Sequence, residues 1–452
     1  MNRLITILAA RSATATIVLA GLAVRLAYFA RIAHQPLMSD AASYKEMAAQ
    51  LAAGVHFVPY WPPALPLYLA GISELFGGSE PAARLAMLPF YLGLCYGLYR
   101  LVYQLTSQVA CANLALLPVA FGPGMICASV EPITELPTAM LLTLVACWLV
   151  GVKAEKAPGW APLGIAIGCL SLLRPASLIL LFFVPAYLGW RVRKPLAALG
   201  AAIVPALMVL AWLGYVRETT GQTVMINTAN ARNFYLGNNP LTPVYRTWWL
   251  GSHHEHEVEL TIHQAGPPDP VALQKQYSAL AWRYIGQAPG LFLLRTLNRA
   301  CVFIAPDTYT GAYLFENYAF SKLFGFLVIA LDSAIYCLMA VGSILYLATL
   351  PSVKLRQSAL PEPLIQAGIL IGLVLLYALP YFIAFSHPRY HSPMEPLLAA
   401  ASSAFIAPLL RGLAQPALET LRGRRVPVAV AVALFLAIQA EFVVIVLRAG
   451  SA

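Results

Sequence analysis

The sequence predicts an all-α polytopic membrane protein with about eleven transmembrane helices. Of its 452 residues, 60% are hydrophobic and only 11% are charged, whereas a soluble domain carries about 25% charged residues. A chain this long and this poor in charge cannot cover a soluble fold with polar side chains, so most of its surface must face lipid. Composition therefore argues against a large soluble protein.

Eleven apolar stretches approach the roughly 20 residues that a spanning helix needs. They lie at residues 12–33, 82–104, 108–127, 134–152, 159–174, 176–190, 196–216, 320–350, 364–385, 394–411 and 426–447. The first stretch lacks a small-residue cleavage site, so we expect an uncleaved transmembrane helix and not a signal peptide. The stretch 291–305 is short and interrupted by Arg295 and Arg299, which predicts an interfacial or re-entrant helix.

The basic residues between these stretches predict the orientation of the chain. If the spans alternate, one side collects Lys153, Lys156, Arg191, Arg193, Lys194, Lys354, Arg356, Arg411, Arg422, Arg424 and Arg425. The positive-inside rule makes that side, and the N-terminus, cytoplasmic. With this orientation, residues 34–80 form a first outer segment and residues 217–318 form a long outer segment. Both belong to a single transmembrane domain, 1–452. We expect it in a bacterial plasma (inner) membrane, with its polar chemistry outside.

The net charge of +10 is distributed among these short clusters. It forms no basic stripe interleaved with exposed aromatic residues, so nothing indicates a nucleic-acid partner. The partners that the composition does predict are membrane lipids.

The first outer segment predicts a helix on the membrane surface. Ser39 is a suitable N-cap, the helix would run from Asp40 to about Ala53, and Gly54 would end it. Pro62-Pro63 would then break the chain, and a second, apolar helix would run to Phe76. One face of this helix carries Asp40, Tyr44, Met47 and Leu51. Two interpretations of Asp40 are open on this evidence: an acid of a functional site, or a solvated carboxylate that complements the helix dipole.

Other ionisable residues of the outer side are less specific. Glu131 and Glu135 are four residues apart at the outer start of the fourth stretch, so both can face one side of a helix start. The cluster His253-His254-Glu255-His256-Glu257 does not match a zinc pattern such as HExxH. A solvated loop is the simpler interpretation of that cluster, and metal dependence stays open.

Five segments, in order along the chain, resemble motifs of the GT-C glycosyltransferases, and especially of the protein O-mannosyltransferases and lipid A aminoarabinose transferases (glycosyltransferase family 39-like). They are Asp40 with Tyr44 and the Pro62-Pro63 segment that ends at Phe76-Gly77, Glu131-Pro-Ile-Thr-Glu135, Leu172-Leu-Arg174-Pro175, Trp282-Arg-Tyr-Ile with Pro289 and Arg299, and His387-Pro-Arg389-Tyr390 with Pro393 and Pro396. Ala41 and Trp61 depart from the pattern, where many members have a second acid and some aminoarabinose-type members a lysine. An aminoarabinose-type donor site is therefore in doubt.

The resemblance implies a GT-C-type arrangement of helices and inverting transfer of a sugar from a polyprenyl-phosphate donor to an acceptor hydroxyl on a lipid, glycan or protein. Asp40 would be the general base, because a carboxylate can take the proton of a hydroxyl as it attacks the anomeric carbon. The departing phosphate needs cationic stabilisation. Guanidinium groups match phosphate oxygens, and Arg174, Arg299 and Arg389 are the candidates.

The same resemblance implies Glu135 as a second acid of the site. It places Tyr44, His387 and Tyr390 with the arginines as donor-binding residues, and it implies no tightly bound cofactor. The alternatives to a role in donor binding are that Arg174 anchors a turn at the membrane interface and that Arg299 snorkels from an interfacial helix. The run from Asn233 to Pro240 resembles a Gly-Asn element, which we expect near the sugar or the acceptor.

Two other classes of function compete with the transferase. A lipid or amphiphile transporter would have ionisable residues near the membrane midplane and paired broken helices, whereas the acids here gather at the predicted outer ends of the spans. A purely structural subunit would leave the outer polar residues unexplained.

Overall fold

The computed structural model describes residues 7–152, 159–192, 195–242, 269–351, 361–410, 412 and 414–449. These residues form helices and connecting turns without a strand, which confirms the predicted all-α class. Eight helical runs among them are long and apolar enough to cross a membrane. The cluster at 253–257 and several of the predicted cytoplasmic basic residues lie outside the described residues.

Ten α-helices lie between Arg11 and Val192 within the described ranges. They are α1 (Arg11–Ile32), α2 (Ser39–Ala52), α3 (Ala64–Phe76), α4 (Glu80–Leu85), α5 (Leu88–Thr106), α6 (Val109–Phe121), α7 (Pro123–Ala128), α8 (Glu135–Val150), α9 (Trp160–Leu173) and α10 (Leu180–Val192). A short 3-10 helix, Pro175–Ile179, connects α9 to α10.

From Pro195 onward, the described chain continues in the same way. Its helices are α11 (Pro195–Thr220), α12 (Ala229–Gly237), α13 (Pro270–Gln287), α14 (Pro289–Phe303), α15 (Tyr309–Asn317), α16 (Lys322–Thr349), α17 (Glu362–Ile383), α18 (Glu395–Leu410), α19 (Ala414–Gly423) and α20 (Arg425–Ala449). A 3-10 helix, Pro388–Met394, leads directly into α18.

Eight of the eleven predicted spans correspond to the eight helical runs of sufficient length. The other three correspond to α6, α8 and α9, which have 13, 16 and 14 residues. These helices are largely buried, as expected for helices that are apolar all round. Because a helix inside a bundle need not match the thickness of the bilayer, the count of eleven stays a prediction.

Helix α8 lies at the centre of the bundle and organises the site. It packs against α5, α9, α17 and α18 and against the 3-10 helix before α18. Leu136, Leu142, Val145 and Leu149 of α8 belong to the largest apolar core. The N-terminal end of this buried helix carries Glu135, so the core of the protein fixes the position of a carboxylate.

The two helices predicted for the first outer segment are present as α2 and α3. Gly54 follows α2 with φ 66°, as a helix-ending glycine should. The predicted N-cap is wrong: Met38 precedes the helix and no side chain caps it. Ser39 instead has φ 52°, a strained value for a residue with a Cβ, and its side chain hydrogen-bonds to Tyr309.

Helix α14 covers the stretch predicted not to cross the membrane. It has 15 residues, and it is not one of the helices long and apolar enough to span. Arg295 and Arg299 point into the protein, where both are buried. Its interfacial position stays a prediction.

Candidate active site

Three charged side chains from distant parts of the chain form one ion-pair cluster. Arg389 donates through Nη2 to Oδ2 of Asp40 at 2.6 Å, and its Nε lies 3.0 Å from Oε1 of Glu135. Glu135 is almost fully buried, whereas the Asp40 side chain is 27% exposed. The carboxylate on α8 therefore anchors the guanidinium, and the carboxylate on α2 faces accessible space.

Arg174 joins the cluster from the other side of Glu135. Its Nη2 lies 2.8 Å from Oε1 of Glu135, and its Nη1 donates to the hydroxyl of Tyr381 at 3.2 Å. Its guanidinium carbon lies 5.4 Å from the ring centroid of Tyr390. One buried carboxylate thus holds two guanidinium groups side by side.

Proline residues explain how both arginines reach this point. The residue before a proline is driven out of the helical region, and Arg174, which precedes Pro175, has φ −140° and ψ 104°. Helix α9 therefore ends at Leu173, and the Arg174 side chain turns toward α8. His387 precedes Pro388 with φ −140° and ψ 142°, and the 3-10 turn that follows presents Arg389.

A cavity of about 600 Å³ adjoins the cluster, within the range of small-molecule sites. Its charged wall contains Asp40, Glu135, Arg174 and Arg389. The remaining wall includes Tyr44, Trp61, Pro62, Thr134, Ile179, Asn227, Asn230, Arg232, Asn233, Tyr381, Phe385 and Tyr390. The cavity is therefore lined by cationic, aromatic and amide side chains together.

Tyr44 and Tyr390, two of the predicted donor-binding residues, both line this cavity. Tyr44 is buried, and its ring lies 5.4 Å from that of Trp61. Loss of water on burial, together with the nearby Asp40 carboxylate, raises the pKa of Tyr44. Its hydroxyl is therefore a hydrogen-bond donor at any physiological pH.

His387 does not line the cavity itself but contacts Arg389, which does. Its Nδ1 accepts a hydrogen bond from the backbone N–H of Arg389, and its ring contacts those of Tyr309 and Tyr390. Loss of water around the ring, with a contribution from the positive charge of Arg389, lowers its pKa to about 3. A neutral His387 that holds the backbone of Arg389 is a positioning residue, whereas the sequence predicted a donor-binding residue.

Arg299 does not reach the cavity wall. It is fully buried, and it donates to the backbone carbonyls of Phe382 and Gly237 at 2.6 and 2.7 Å. Loss of water and the neighbouring Arg295 lower its pKa to about 10. Its role in this structure is to join the end of α12 to the end of α17, and neither donor binding nor snorkelling describes it.

Gly237 and Asn238 of the predicted Gly-Asn element, like Arg299, contact the end of α17 and do not line the cavity. A Cβ on Gly237 would lie 1.7 Å from the carbonyl oxygen of Ala384, so only glycine fits there. The Asn238 amide donates to the carbonyl of Ile383 at 3.1 Å. Earlier in the same run, Asn233 and Leu236 line the cavity, and the expected proximity of the element to sugar or acceptor stays a prediction.

Of the two glutamates in the Glu131–Glu135 segment, only Glu135 lines the large cavity. Glu131 is buried against Arg84 at 2.5 Å and accepts from the Tyr318 hydroxyl at 2.8 Å. Burial raises the pKa of Glu131, and the Arg84 charge offsets part of that effect. This second buried ion pair ties α4 to the segment before α8.

Sequence reasoning missed several residues of the site. Tyr309 lies beneath Arg389, whose guanidinium carbon is 4.5 Å from the ring centroid, and nothing in its sequence context indicated this. The three asparagines that line the cavity did carry a signal, because Asn227, Asn230 and Asn233 recur at every third position; Asn230 and Asn233 lie on α12, and Asn227 lies just before it. Arg232 on the same helix adds a third guanidinium to the cavity wall.

The side chains of the described residues do not form a group of three or more histidine, cysteine or acidic residues suited to a metal ion. In the cluster itself, a guanidinium and not a cation-sized space separates Asp40 from Glu135. What the arrangement offers is a partly exposed carboxylate beside two guanidinium groups that are already oriented.

Comparison with known proteins gives structural neighbours only. No family profile and no curated protein sequence matches the chain. It is similar to a crystal structure of the Archaeoglobus fulgidus oligosaccharyltransferase in complex with Zn and sulfate, with 15% identity and a TM-score of 0.49 over 91% of this chain and 51% of that one. It is also similar to archaeal oligosaccharyltransferase AglB from Archaeoglobus fulgidus in complex with an inhibitory peptide and a dolichol-phosphate, with 14% identity and a TM-score of 0.47 over 97% and 55%. The chain spans about half the length of these proteins.

Proposed function

We propose that this protein is an inverting glycosyltransferase that moves a sugar from a polyprenyl-phosphate donor to an acceptor hydroxyl at the outer face of a membrane. The observation that carries the proposal is the Asp40–Arg389–Glu135–Arg174 cluster on the wall of a cavity in a bundle of apolar helices. A base and a pair of phosphate ligands are the two requirements of this reaction.

Asp40 acts as the general base. The acceptor hydroxyl attacks the anomeric carbon of the donor sugar from the face opposite the phosphate and gives its proton to the Asp40 carboxylate. The bond between the anomeric carbon and the phosphate oxygen breaks, and that oxygen keeps the electron pair. Arg389 occupies Oδ2 of Asp40, so the acceptor approaches Oδ1.

Arg174 and Arg389 bind the phosphate and stabilise the negative charge that builds on it. Each guanidinium has five N–H donors, and Glu135 uses only part of this capacity while it holds both groups in place. Preorganised cations of this kind need no rearrangement during the reaction. Glu135 thus serves as the anchor of the phosphate site.

The position of the cluster along the bundle supports an outer site. Arg191, one of the residues predicted to be cytoplasmic, pairs with Glu362 at the start of α17. Tyr381, near the other end of α17, lines the cavity. At 1.5 Å per residue these two points on α17 lie about 28 Å apart, close to the thickness of the hydrocarbon core. With Arg191 on the cytoplasmic side, as the positive-inside rule predicts, this separation supports a cavity at the outer face.

The competing hypothesis is a lipid transporter, and Asp332 is the residue that favours it. Asp332 lies buried within the apolar helix α16, where an acid is by default a functional candidate. Its Oδ1, however, accepts the backbone N–H of Gly124 at 2.8 Å, at the start of α7. Capping of that short helix gives the carboxylate a structural role, so we favour the transferase.

The test is mass spectrometry of glycolipids, glycans and glycoproteins from a deletion strain, complemented with wild type or with Asp40→Asn. A sugar-sized mass that only wild type restores supports the proposal and identifies both sugar and acceptor. If both versions restore the mass, Asp40 is not the base. Identical profiles in all strains, together with altered distribution of a lipid across the membrane, would instead support transport.

A further inference from the structure

Tyr309, the first residue of α15, contacts two parts of the candidate site with different parts of its side chain. The face of its ring lies beneath Arg389, whose guanidinium carbon is 4.5 Å from the ring centroid. Its hydroxyl, the only hydrogen-bonding group of the side chain, bonds to the side chain of Ser39. Ser39 immediately precedes Asp40 in the chain. One side chain therefore connects the proposed phosphate ligand to the residue that leads into the proposed base.

The position of Tyr309 is itself restrained from several directions. Asp307 accepts the backbone N–H of Tyr309 at 2.8 Å through Oδ1 and the hydroxyl of Thr310 at 2.7 Å through Oδ2. The Tyr309 ring stacks on that of Tyr313, with centroids 5.6 Å apart, and meets His387 edge to face at 5.5 Å. Aromatic contacts at these separations favour one ring orientation. The hydroxyl and the ring face of Tyr309 are thus held in fixed directions.

Ser39 needs a restraint of this kind. Its φ of 52° lies in the left-handed region, which is sparsely populated by residues with a Cβ. Such a conformation persists only where the surrounding structure holds it. No side chain caps the start of α2, whereas the hydrogen bond to Tyr309 holds the Ser39 side chain. The backbone of Ser39 sets the direction in which Asp40 leaves the chain, so this bond also affects the proposed base.

The Asp40 carboxylate is restrained at two points. Arg389 donates to its Oδ2 at 2.6 Å, and the backbone conformation of Ser39 fixes the other end of the side chain. The position of Oδ1, the oxygen proposed to take the proton, depends on both restraints. A general base must lie within hydrogen-bond reach of the proton it accepts, and a displacement of about 1 Å can lower a rate about 100-fold.

We infer that Tyr309 is a positioning residue with two separable roles: its hydroxyl orients Asp40 through Ser39, and its ring supports the guanidinium of Arg389. This inference rests on the proposed function, in which Asp40 takes the proton and Arg389 binds the phosphate. The hydroxyl then affects the rate of transfer without affecting phosphate affinity. The ring affects both, because a guanidinium over an aromatic face is attracted to it and held in place.

The test removes the two parts of the side chain one at a time, with Tyr309→Phe and Tyr309→Leu. Transfer is measured in the deletion strain, as the rate at which the sugar-sized mass accumulates after induction at equal protein levels. Binding of bare polyprenyl phosphate is measured with the full chain in lipid nanodiscs. Tyr187→Phe is the matched control, because the Tyr187 hydroxyl donates to the backbone carbonyl of Leu149 at 3.2 Å, outside the cavity lining.

Tyr309→Phe should lower the rate of transfer about 10- to 100-fold while it binds polyprenyl phosphate as wild type does. Tyr309→Leu should in addition weaken lipid binding about 3- to 30-fold, and Tyr187→Phe should change neither quantity. The inference is overturned if Tyr309→Phe transfers at the wild-type rate, or if it weakens lipid binding as much as Tyr309→Leu. If wild type neither restores the mass nor binds the lipid, the proposed function fails as well.

A second pair of variants tests the route through Ser39 and does not depend on any change at Tyr309. Ser39→Ala and Ser39→Gly both lack the hydroxyl, but glycine adopts a positive φ without the Cβ penalty. Ser39→Gly should therefore transfer about 5- to 30-fold faster than Ser39→Ala. Tyr309→Phe should add little to Ser39→Ala, since the bond is already lost. Equal rates for the alanine and glycine variants, or a full additional loss in the double variant, would overturn the inference.

Discussion

Arg389 and Asp40 lie 349 positions apart in the chain, yet the guanidinium of one donates to the carboxylate of the other at 2.6 Å. The bond joins the first outer segment to the turn before α18. Because Arg389 also contacts Glu135 at 3.0 Å, the proposed base and the proposed phosphate site form one rigid unit. A donor bound at Arg389 is thereby placed next to the base.

Asp40→Asn should reduce sugar transfer by about 10²- to 10⁴-fold, which is the usual contribution of a general base. The amide retains the size of the side chain but cannot take the proton. Transfer is measured with purified protein and the donor and acceptor that mass spectrometry identifies. Glu46→Gln is the matched control, because Glu46 is an exposed acid on the same helix and should leave transfer unchanged. A fully active Asp40→Asn protein would rule out Asp40 as the base.

Arg389→Ala should weaken binding of polyprenyl phosphate by about 10- to 100-fold, since hydrogen bonds to a charged group are lost. Arg389→Lys should recover only part of the affinity, because an ammonium group cannot bridge two partners as a planar guanidinium does. Arg100→Ala serves as the control, since Arg100 is exposed on α5. Unchanged affinity in Arg389→Ala would remove Arg389 from the phosphate site.

Glu135→Gln should lower the free energy of unfolding by about 3–5 kcal/mol, because it leaves two guanidinium groups without their shared buried carboxylate. Thermal unfolding in nanodiscs measures the effect. Glu362→Gln breaks a comparable pair with Arg191, but Glu362 is 47% exposed, so that change should cost at most about 1 kcal/mol. Equal stability of the two variants would contradict the anchoring role of Glu135.

Arg299→Ala should destabilise the protein but leave the affinity of the folded fraction for polyprenyl phosphate unchanged. The Arg299 guanidinium bonds to backbone carbonyls at the ends of α12 and α17, so its loss leaves buried acceptors unpaired. Thermal unfolding and lipid binding on the same samples separate the two effects. A loss of lipid affinity like that of Arg389→Ala would restore Arg299 to the donor site.

His387 should make the protein less stable in acid. Its pKa is about 3 in the folded protein against an ordinary value of 6.5. Between these values the unfolded chain binds a proton that the folded protein does not, so stability falls as pH is lowered from 6.5 toward 3. His387→Asn keeps an acceptor for the Arg389 N–H without titrating. Its unfolding temperature should fall less than that of wild type over this pH range, and parallel curves would contradict the prediction.

The sequence correctly predicted the helices and helix breaks that interactions between neighbouring residues determine. The apolar stretches, the two helices of the first outer segment and the breaks at Arg174-Pro175 and His387-Pro388 all follow from composition and from the geometry of proline. Ser39 is the exception, because a tertiary hydrogen bond to Tyr309 replaces the expected cap. The eleven-span count also went beyond what apolarity can determine, since a helix such as α8 is apolar because it is buried in protein.

The residues of the candidate site likewise fall into those that the sequence could identify and those that it could not. Asp40, Glu135, Arg174 and Arg389 could be nominated from the sequence because the segments that contain them resemble motifs of a known family. The sequence could not distinguish Arg389 from Arg299, since both are arginines near the ends of apolar helices. Their partners differ: one meets carboxylates beside a cavity, and the other meets backbone carbonyls at the buried contact between α12 and α17.

The sequence by itself therefore determined that this chain is a helical membrane protein with acids and arginines at the ends of its apolar stretches. Only the tertiary structure decided that Glu135 holds two arginines, that Glu131 belongs to another ion pair and that Asn227 is among the residues that line the cavity. The reason is physical. Periodicity and hydropathy act over one or two turns of helix, whereas the partner of a buried charge comes from a segment tens to hundreds of residues away and depends on how the helices pack.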